Sequence, residues 1–345
     1  MSSGTTFSMD WVPTRAGNWL FHCHMAPHIT PFPERPDSLR AHDEHDVAQH
    51  AITGMAGLVL GITTTHANTR TAVAPPTPAR KLHLFAQETA TDSAQPRAYG
   101  YVLQQGEEPR ADSIVVPGPP LVLTRGETTA ITVINRTSAL TTVHWHGMEL
   151  ESVYDGVAGW SGAGSNIAPL IAPGDSFVVA FTPPRAGTFI YHTHMDESAQ
   201  LRSGMYGPLL VVEPGARFDP VTDLVFMIGE AVEGARITAT LNGRREPAAL
   251  TLNAGITYRL RFINILPADV AGISLSADSV PVSWTPISKD GANLSAPLGH
   301  AVPAPLRAGA GETYDFAWTP AGRMDAELVI QMTSRDVIRQ TVRVR

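Results

Sequence analysis

Three short segments set histidines two residues apart: Phe21–Met25 reads FHCHM, Tyr191–Met195 reads YHTHM and His144–Gly147 reads HWHG. Imidazoles hold transition metals, and two of them on alternate residues of a strand project from one face. The first segment also brackets Cys23, the single cysteine of the chain. On a strand that thiol points away from His22 and His24, so it can hold one metal inside its own sandwich while the imidazoles hold others outside it. A thiolate joined by imidazole and a weak thioether, which Met55 can supply, is the ligand set of a blue-copper electron-transfer centre. His192 and His194 repeat the outward pair without a thiol, and His144 and His146 again share a strand face. Nine residues beyond His146 lies Asp155, in YDGV. One such pair alone fits a surface feature or a satisfied core histidine. Three pairs, one around the sole cysteine, point to a metal cluster.

The elements that must position these residues are strands. Val12–Met25 (VPTRAGNWLFHCHM) and Thr182–Met195 (TPPRAGTFIYHTHM) share seven of fourteen positions, and each is followed by Gly-Met and an apolar run (GMAGLVLGI, GMYGPLLVV). A weaker echo without histidines, YDFAWTPAG…AELVIQM, spans Tyr314–Met332. Repetition at this scale means related units in tandem. Segments such as ETTAITVINRTS and ITYRLRFINILP are alternating or apolar runs bounded by turn residues, and no long amphipathic helical period is present. The reading is three β-sandwich units: residues 1–65, too short to cover both faces of a sandwich; a Pro/Thr-rich linker, 66–80; a complete unit, 81–214; and a third, 218–345.

Composition agrees with many short strands and turns: 345 residues carry 29 Gly and 28 Pro, with 43% hydrophobic and 17% charged residues. A net charge of −7 gives no reason to expect a nucleic-acid or anionic-membrane partner. One cysteine excludes an internal disulfide framework. The N-terminal segment has no basic and apolar regions of a signal peptide, and the longest uncharged apolar run, Ile52–Ile62, is too short to span a bilayer, so a soluble chain is expected.

With HWHG, YHTH, FHCHMAPH…GM and the third unit's LNG…YRLRFINI…KDG…GETYDF in view, the chain resembles the multicopper oxidases, laccase-like proteins built of cupredoxin domains. The resemblance implies tandem cupredoxin-like Greek-key sandwiches, the first incomplete. It also implies copper in type 1, type 2 and binuclear type 3 sites, and one-electron oxidation of a small-molecule or metal-ion donor coupled to reduction of dioxygen to water. Carried over, Cys23 is the type 1 thiolate and Met55 its axial ligand. His144 matches the type 2 ligand, and His22, His24, His146, His192 and His194 match type 3 ligands. Asp155 stands where the family keeps an acid that steers protons, although it also suits a turn before Gly156. For the type 1 histidine, His28 has the family's Cys-x4-His spacing and His50 the His-x3-Gly-Met spacing; ligand geometry favours His28. His42 and His45 read as solvated loop residues, and His66, His83 and His300 have no partner motif.

The sequence also departs from the family. The HPxHxHG-type segment that supplies one type 1, one type 2 and one type 3 histidine is missing, and the thiol-bearing unit precedes the HWHG unit. The expectation is therefore a chain that begins inside a longer ancestral protein. Two further readings follow: a truncated copper-binding scaffold without turnover, which another chain supplying the missing strands could complete, and a copper nitrite reductase. The flanking imidazoles of His-Cys-His argue against the latter. Family resemblance places such proteins in the periplasm or outside the cell.

Overall fold

The computed structural model describes residues 6, 8–25, 28, 57–65, 77–89, 98–195, 197–233 and 236–345. Among them the chain is all-β, arranged as tandem cupredoxin-like β-sandwich units, and the helical elements are short 3-10 and π turns. No helix among the described residues is long and apolar enough to cross a membrane.

The first unit contributes β1 (Gly17–His22) and β2 (Val59–Thr64), an antiparallel pair in which Phe21 faces Leu60 and His22 faces Val59. The period of two turns Phe21 and Leu60 to one side and His22 to the other. That apolar side is open: Phe21 is 50% exposed, Leu60 58% and Leu58 64%.

The second unit is a sandwich of two four-stranded sheets. Its strands begin with β3 (Arg80–Glu88), which takes in the last residue read as linker, and β4 (Tyr99–Leu103), β5 (Leu121–Thr124), β6 (Thr129–Asn135) and β7 (Val143–His146). A small hairpin follows, β8 (Gly162–Ala163) and β9 (Asn166–Ile167), then β10 (Ser176–Phe181), β11 (Gly187–Thr193) and β12 (Tyr206–Val212). The sheets run β10-β6-β3-β4 and β5-β12-β11-β7. Between them lie Leu84, Tyr101, Leu121, Ile131, Trp145 and Tyr191, all 0% exposed. The hairpin β8–β9 leaves this sandwich and extends the first unit's sheet, giving the order β2-β1-β8-β9 with Asn18 paired to Gly162.

The third unit opens with β13 (Asp223–Glu233), β14 (Arg236–Leu241), β15 (Leu250–Leu252), β16 (Tyr258–Asn264) and β17 (Ala271–Ala277). It continues through β18 (Val280–Pro281), β19 (Ser283–Lys289), β20 (Ala292–Asn293), β21 (Val302–Pro303) and β22 (Pro305–Ala308). The last strands are β23 (Thr313–Trp318), β24 (Met324–Met332) and β25 (Val337–Val344). Strict alternation in VIRQTVRV buries every second residue of β25, as expected for a strand with one wet face. In contrast β16, held between β13 and β23, is buried almost throughout.

The repeated Arg-Ala-Gly explains how one unit meets the next. Arg15 Nε donates to Glu151 of the second unit at 3.2 Å, and its counterpart Arg185 donates through Nη1 to the Asp290 carbonyl of the third at 2.8 Å. Asn18 and Trp160 add contacts at the first junction: Asn18 Nδ2 donates to the Trp160 carbonyl at 2.9 Å, and the Trp160 ring lies against Gly61. At the second junction Ile190, Leu201 and Tyr206 pack on Met227, Ile263 and Ile265. Beside that apolar patch is a buried polar knot. Asp315, with a fully buried side chain, accepts from Thr188 Oγ1 at 2.7 Å, Arg259 Nη2 at 2.6 Å, Arg261 Nη1 at 3.2 Å and Ser288 Oγ at 2.9 Å. Arg261, 4% exposed, also holds Asp223 at 2.5 Å.

Removing one partner of a buried ion pair leaves the other charge uncompensated, at about 3–5 kcal/mol. Asp315→Ala is expected to destabilise the protein by that amount in urea titrations, and a loss below about 1 kcal/mol would show that the knot contributes little.

Candidate metal centre

Strand β7 carries His144 and His146 on the face opposite Trp145, and β11 carries His192 opposite Tyr191. Trp145 and Tyr191 are 0% exposed, so core packing on one face of each strand drives the imidazoles to the other. The two strands pair antiparallel, with His192 directly across from His144 and Ile190 across from His146. Along β11 the outer face passes from Thr188 and Ile190, which meet the third unit, to His192.

The first unit brings His22 and His24 onto the same spot. Their ring centroids are 4.8 Å apart, and His24 lies 4.5 Å from His146. His144 is then 5.5 Å from His146, 5.3 Å from His192 and 5.6 Å from His194. All six histidines of the three pairs thus form one connected cluster at the junction of two units. Among the described residues the ligand atoms of His144, His146 and His192 lie within 4.8 Å of one another, a grouping able to hold a metal ion.

Backbone carbonyls orient several rings. His22 Nδ1 is 3.0 Å from the Cys23 carbonyl and His192 Nδ1 is 2.7 Å from the Thr193 carbonyl, the same contact in both copies of the repeat. His144 Nδ1 is 2.6 Å from the Asp155 carbonyl and 3.4 Å from its Oδ1. A ring that donates its Nδ1 hydrogen to a carbonyl presents the Nε2 lone pair as its remaining ligand atom. This donor set fits copper, which favours imidazole nitrogen.

The electrostatics favour neutral rings. Burial, followed by the charge of His144, lowers His192 to about 3. His24 is exposed at its surface, yet the atoms crowded around its ring, followed by the charges of His22 and His144, lower it to about 4. His22 and His146 are lowered for the same reasons. His144 moves the other way: burial opposes its charged form, but the Asp155 carboxylate and the hydrogen bonds at Nδ1 outweigh it and raise the ring.

Cys23 departs from this cluster, as the alternation requires. Its Sγ lies 3.4 Å from His28 Nδ1. A tetrahedral ion with bonds of about 2.3 Å to sulfur and about 2.0 Å to nitrogen separates those two ligand atoms by about 3.5 Å. The loop is closed by backbone hydrogen bonds from His28 N to the Met25 carbonyl at 2.7 Å and from Leu58 N to the His28 carbonyl at 2.7 Å. Met55, His50, His42 and His45 lie outside the described residues.

Residues 114–216 match the family model described as multicopper oxidase. Copper resistance protein A of Pseudomonas syringae pv. tomato is 41% identical over 96 residues, which are 28% of this chain and 14% of that protein. Laccase-5 of Arabidopsis thaliana is 36% identical over 108 residues, 31% of this chain and 17% of that protein. The matching segment therefore spans less than a fifth of the length of these curated relatives. Among solved structures, a variant of the multicopper oxidase McoA from the hyperthermophile Aquifex aeolicus aligns with 78% of this chain and 62% of its own, at a TM-score of 0.60 and 16% identity. The blue copper oxidase of Nitrosomonas europaea aligns with 77% of this chain and 86% of its own, at a TM-score of 0.56 and 22% identity. At these identities the structures show a shared fold. Similarity to the multicopper oxidases therefore holds at the family level, for part of the chain by sequence and for most of it by fold.

Two features of the centre escape sequence reasoning. The Asp155 carbonyl, and not only its carboxylate, braces His144. Gly311 of the third unit also reaches the cluster: a Cβ placed on it would lie 2.7 Å from His146 Cε1 and 2.8 Å from His24 Nδ1. The first had a signal in YDGV; the second had none, because a glycine carries no side chain and GETYDF contains no histidine or cysteine.

Two expected outcomes follow. In Asp155→Asn, His144 should titrate at lower pH than in the parent protein when followed by imidazole NMR; an unchanged midpoint would remove the carboxylate from any role at this ring. Unfolded histidines protonate near 6.5, whereas His24 and His192 resist until about 4 and about 3. The unfolded chain therefore binds more protons in that interval, and stability of the metal-free protein should decline as pH falls from about 6.5 toward 4. Flat denaturation midpoints across that range would contradict the neutral cluster.

Proposed function

We propose that this chain is a copper-binding scaffold of multicopper-oxidase architecture that by itself does not sustain turnover. The observation that carries this reading is the convergence of six imidazoles from two units, with three of their Nδ1 atoms braced by carbonyls. In this proposal His144 serves a type 2 ion, and His22, His24, His146, His192 and His194 serve a type 3 pair. Cys23 and His28 belong to a separate type 1 site, with Met55 as its axial ligand. Copper, when bound, supplies one-electron chemistry and a place for dioxygen. The protein's own part is to keep His22, His24, His146 and His192 neutral, to orient the rings, and to link the Cys23 site to the cluster through the backbone of a single tripeptide. Asp155, braced against His144, is placed to hold or release a proton there.

A second reading is favoured by the open apolar side of β1 and β2. Phe21, Leu58 and Leu60 surround the Cys23 side of the hairpin as the interior of a sandwich would. Strands supplied by another chain that cover this side and bring further histidines would complete an oxidase, taking electrons from a small-molecule or metal-ion donor and passing them to dioxygen. Nitrite reduction accounts less well for the imidazoles on both sides of Cys23.

Copper content, the visible spectrum and oxygen uptake of the purified chain decide between these readings. The scaffold reading expects fewer than the four coppers that the family resemblance implies, no intense blue thiolate-to-copper band and no oxygen consumption with a one-electron donor. It also expects His144→Ala/His192→Ala to lose most of the copper retained. A blue protein with four coppers that consumes dioxygen would replace it with the oxidase.

A further inference from the structure

The third unit supplies none of the histidines, yet its loop from Gly309 to Glu312 reaches the cluster. Gly311 has φ +74, and the atoms a Cβ would meet there are His146 Cε1 at 2.7 Å, His24 Nδ1 at 2.8 Å and His146 Nε2 at 3.1 Å. His24 comes from the first unit and His146 from the second, so one glycine touches rings from both other units.

The loop has little freedom to retreat. Gly311 N donates to the Asn264 carbonyl at 2.8 Å and Asn264 N donates to the Glu312 carbonyl at 3.1 Å. The Asn264 side chain, 0% exposed, donates to the Ala308 carbonyl at 3.0 Å and the Gly309 carbonyl at 3.1 Å. The Glu312 carboxylate accepts from Gly309 N at 2.7 Å, Lys289 Nζ at 2.8 Å and Tyr314 Oη at 3.0 Å. Thr313 Oγ1 donates to the Thr188 carbonyl at 2.9 Å, fastening the following strand to β11. If the loop is fixed and an added methyl group overlaps two imidazoles, the imidazoles must move.

We propose that Gly311 is a positioning residue of the metal centre: the third unit is a fixed wall whose missing side chain sets how closely His24 and His146 approach. The proposal deepens the copper-binding reading and rests on it for its metal-affinity consequence. Its geometric content stands without metal. Groups that orient ligands from behind are worth about 10–100-fold in metal affinity when disturbed.

The test compares Gly311→Ala with Gly255→Ala, a glycine of the same unit at φ +77 with nothing within 4 Å of an added Cβ. Both variants pay the same left-handed backbone penalty, so any difference reports the cluster. In the metal-free protein, Gly311→Ala is expected to shift the imidazole NMR resonances of His24 and His146, and Gly255→Ala to leave them in place. Copper(II) titration is expected to show at least tenfold weaker binding for Gly311→Ala and parent-like binding for Gly255→Ala. Identical imidazole spectra for the two variants would overturn the proposal. If the parent chain fails to retain copper, the scaffold reading falls while the NMR comparison still decides the role of Gly311. Should Gly311→Ala not fold, the His24→Ala/His146→Ala background resolves it. There Gly311→Ala should lower the melting temperature no more than Gly255→Ala does, and a persistent excess would assign the clash to something other than the two rings.

Discussion

A strand turns alternate side chains to opposite faces, and the rest of this structure depends on that constraint. When Trp145 and Tyr191 enter the core of the second unit, His144, His146 and His192 have to point out of it. A metal held by outward ligands cannot be enclosed by the strand that carries them. Enclosure requires another unit with its own outward pair, and His22 and His24 provide it. The histidine cluster is therefore a property of a junction. The same alternation sends Cys23 the other way, toward His28, so a thiol–imidazole pair lies one residue of backbone from the histidine cluster.

The junctions are built from the repeat itself. Arg15 and Arg185 occupy the same place in the two copies and each reaches the following unit. His22 and His192 likewise make the same contact with the carbonyl of the next residue. Reuse of one motif thus delivers both the anchor between units and the orientation of a ring. The second junction is further fastened by the apolar patch around Ile190 and Ile263 and by the buried Asp315 with its four donors. Because Thr188 belongs to β11, the strand that anchors the third unit is the strand that presents His192.

Concentrating imidazoles in one place works against protonation. Burial and mutual repulsion hold most of the rings below their ordinary range, which suits ligands that bind metal only when neutral. His144 is the exception, since Asp155 favours its protonated form. His144 therefore has a different proton balance from His22, His24, His146 and His192, and it lies where the second unit supplies an acid.

Much of this was legible in residue order. The all-β class follows from alternating or apolar runs such as ETTAITVINRTS and ITYRLRFINILP, and the outward placement of each His-x-His pair follows from a period of two. The repeat VPTRAG/TPPRAG announced related units, and residue spacing offered His28 and His50 as alternative partners for Cys23 without choosing between them. The tertiary structure decided what depends on register and on contact between distant segments. His192 faces His144 because β7 and β11 pair in one register of several that would keep their cores buried. The hairpin β8–β9 joins a sheet of the first unit although it lies within the second. The role of Gly311 is the clearest case. A residue without a side chain carries no chemical signature, and its importance comes from the space it leaves between rings that the chain brings together from two other units.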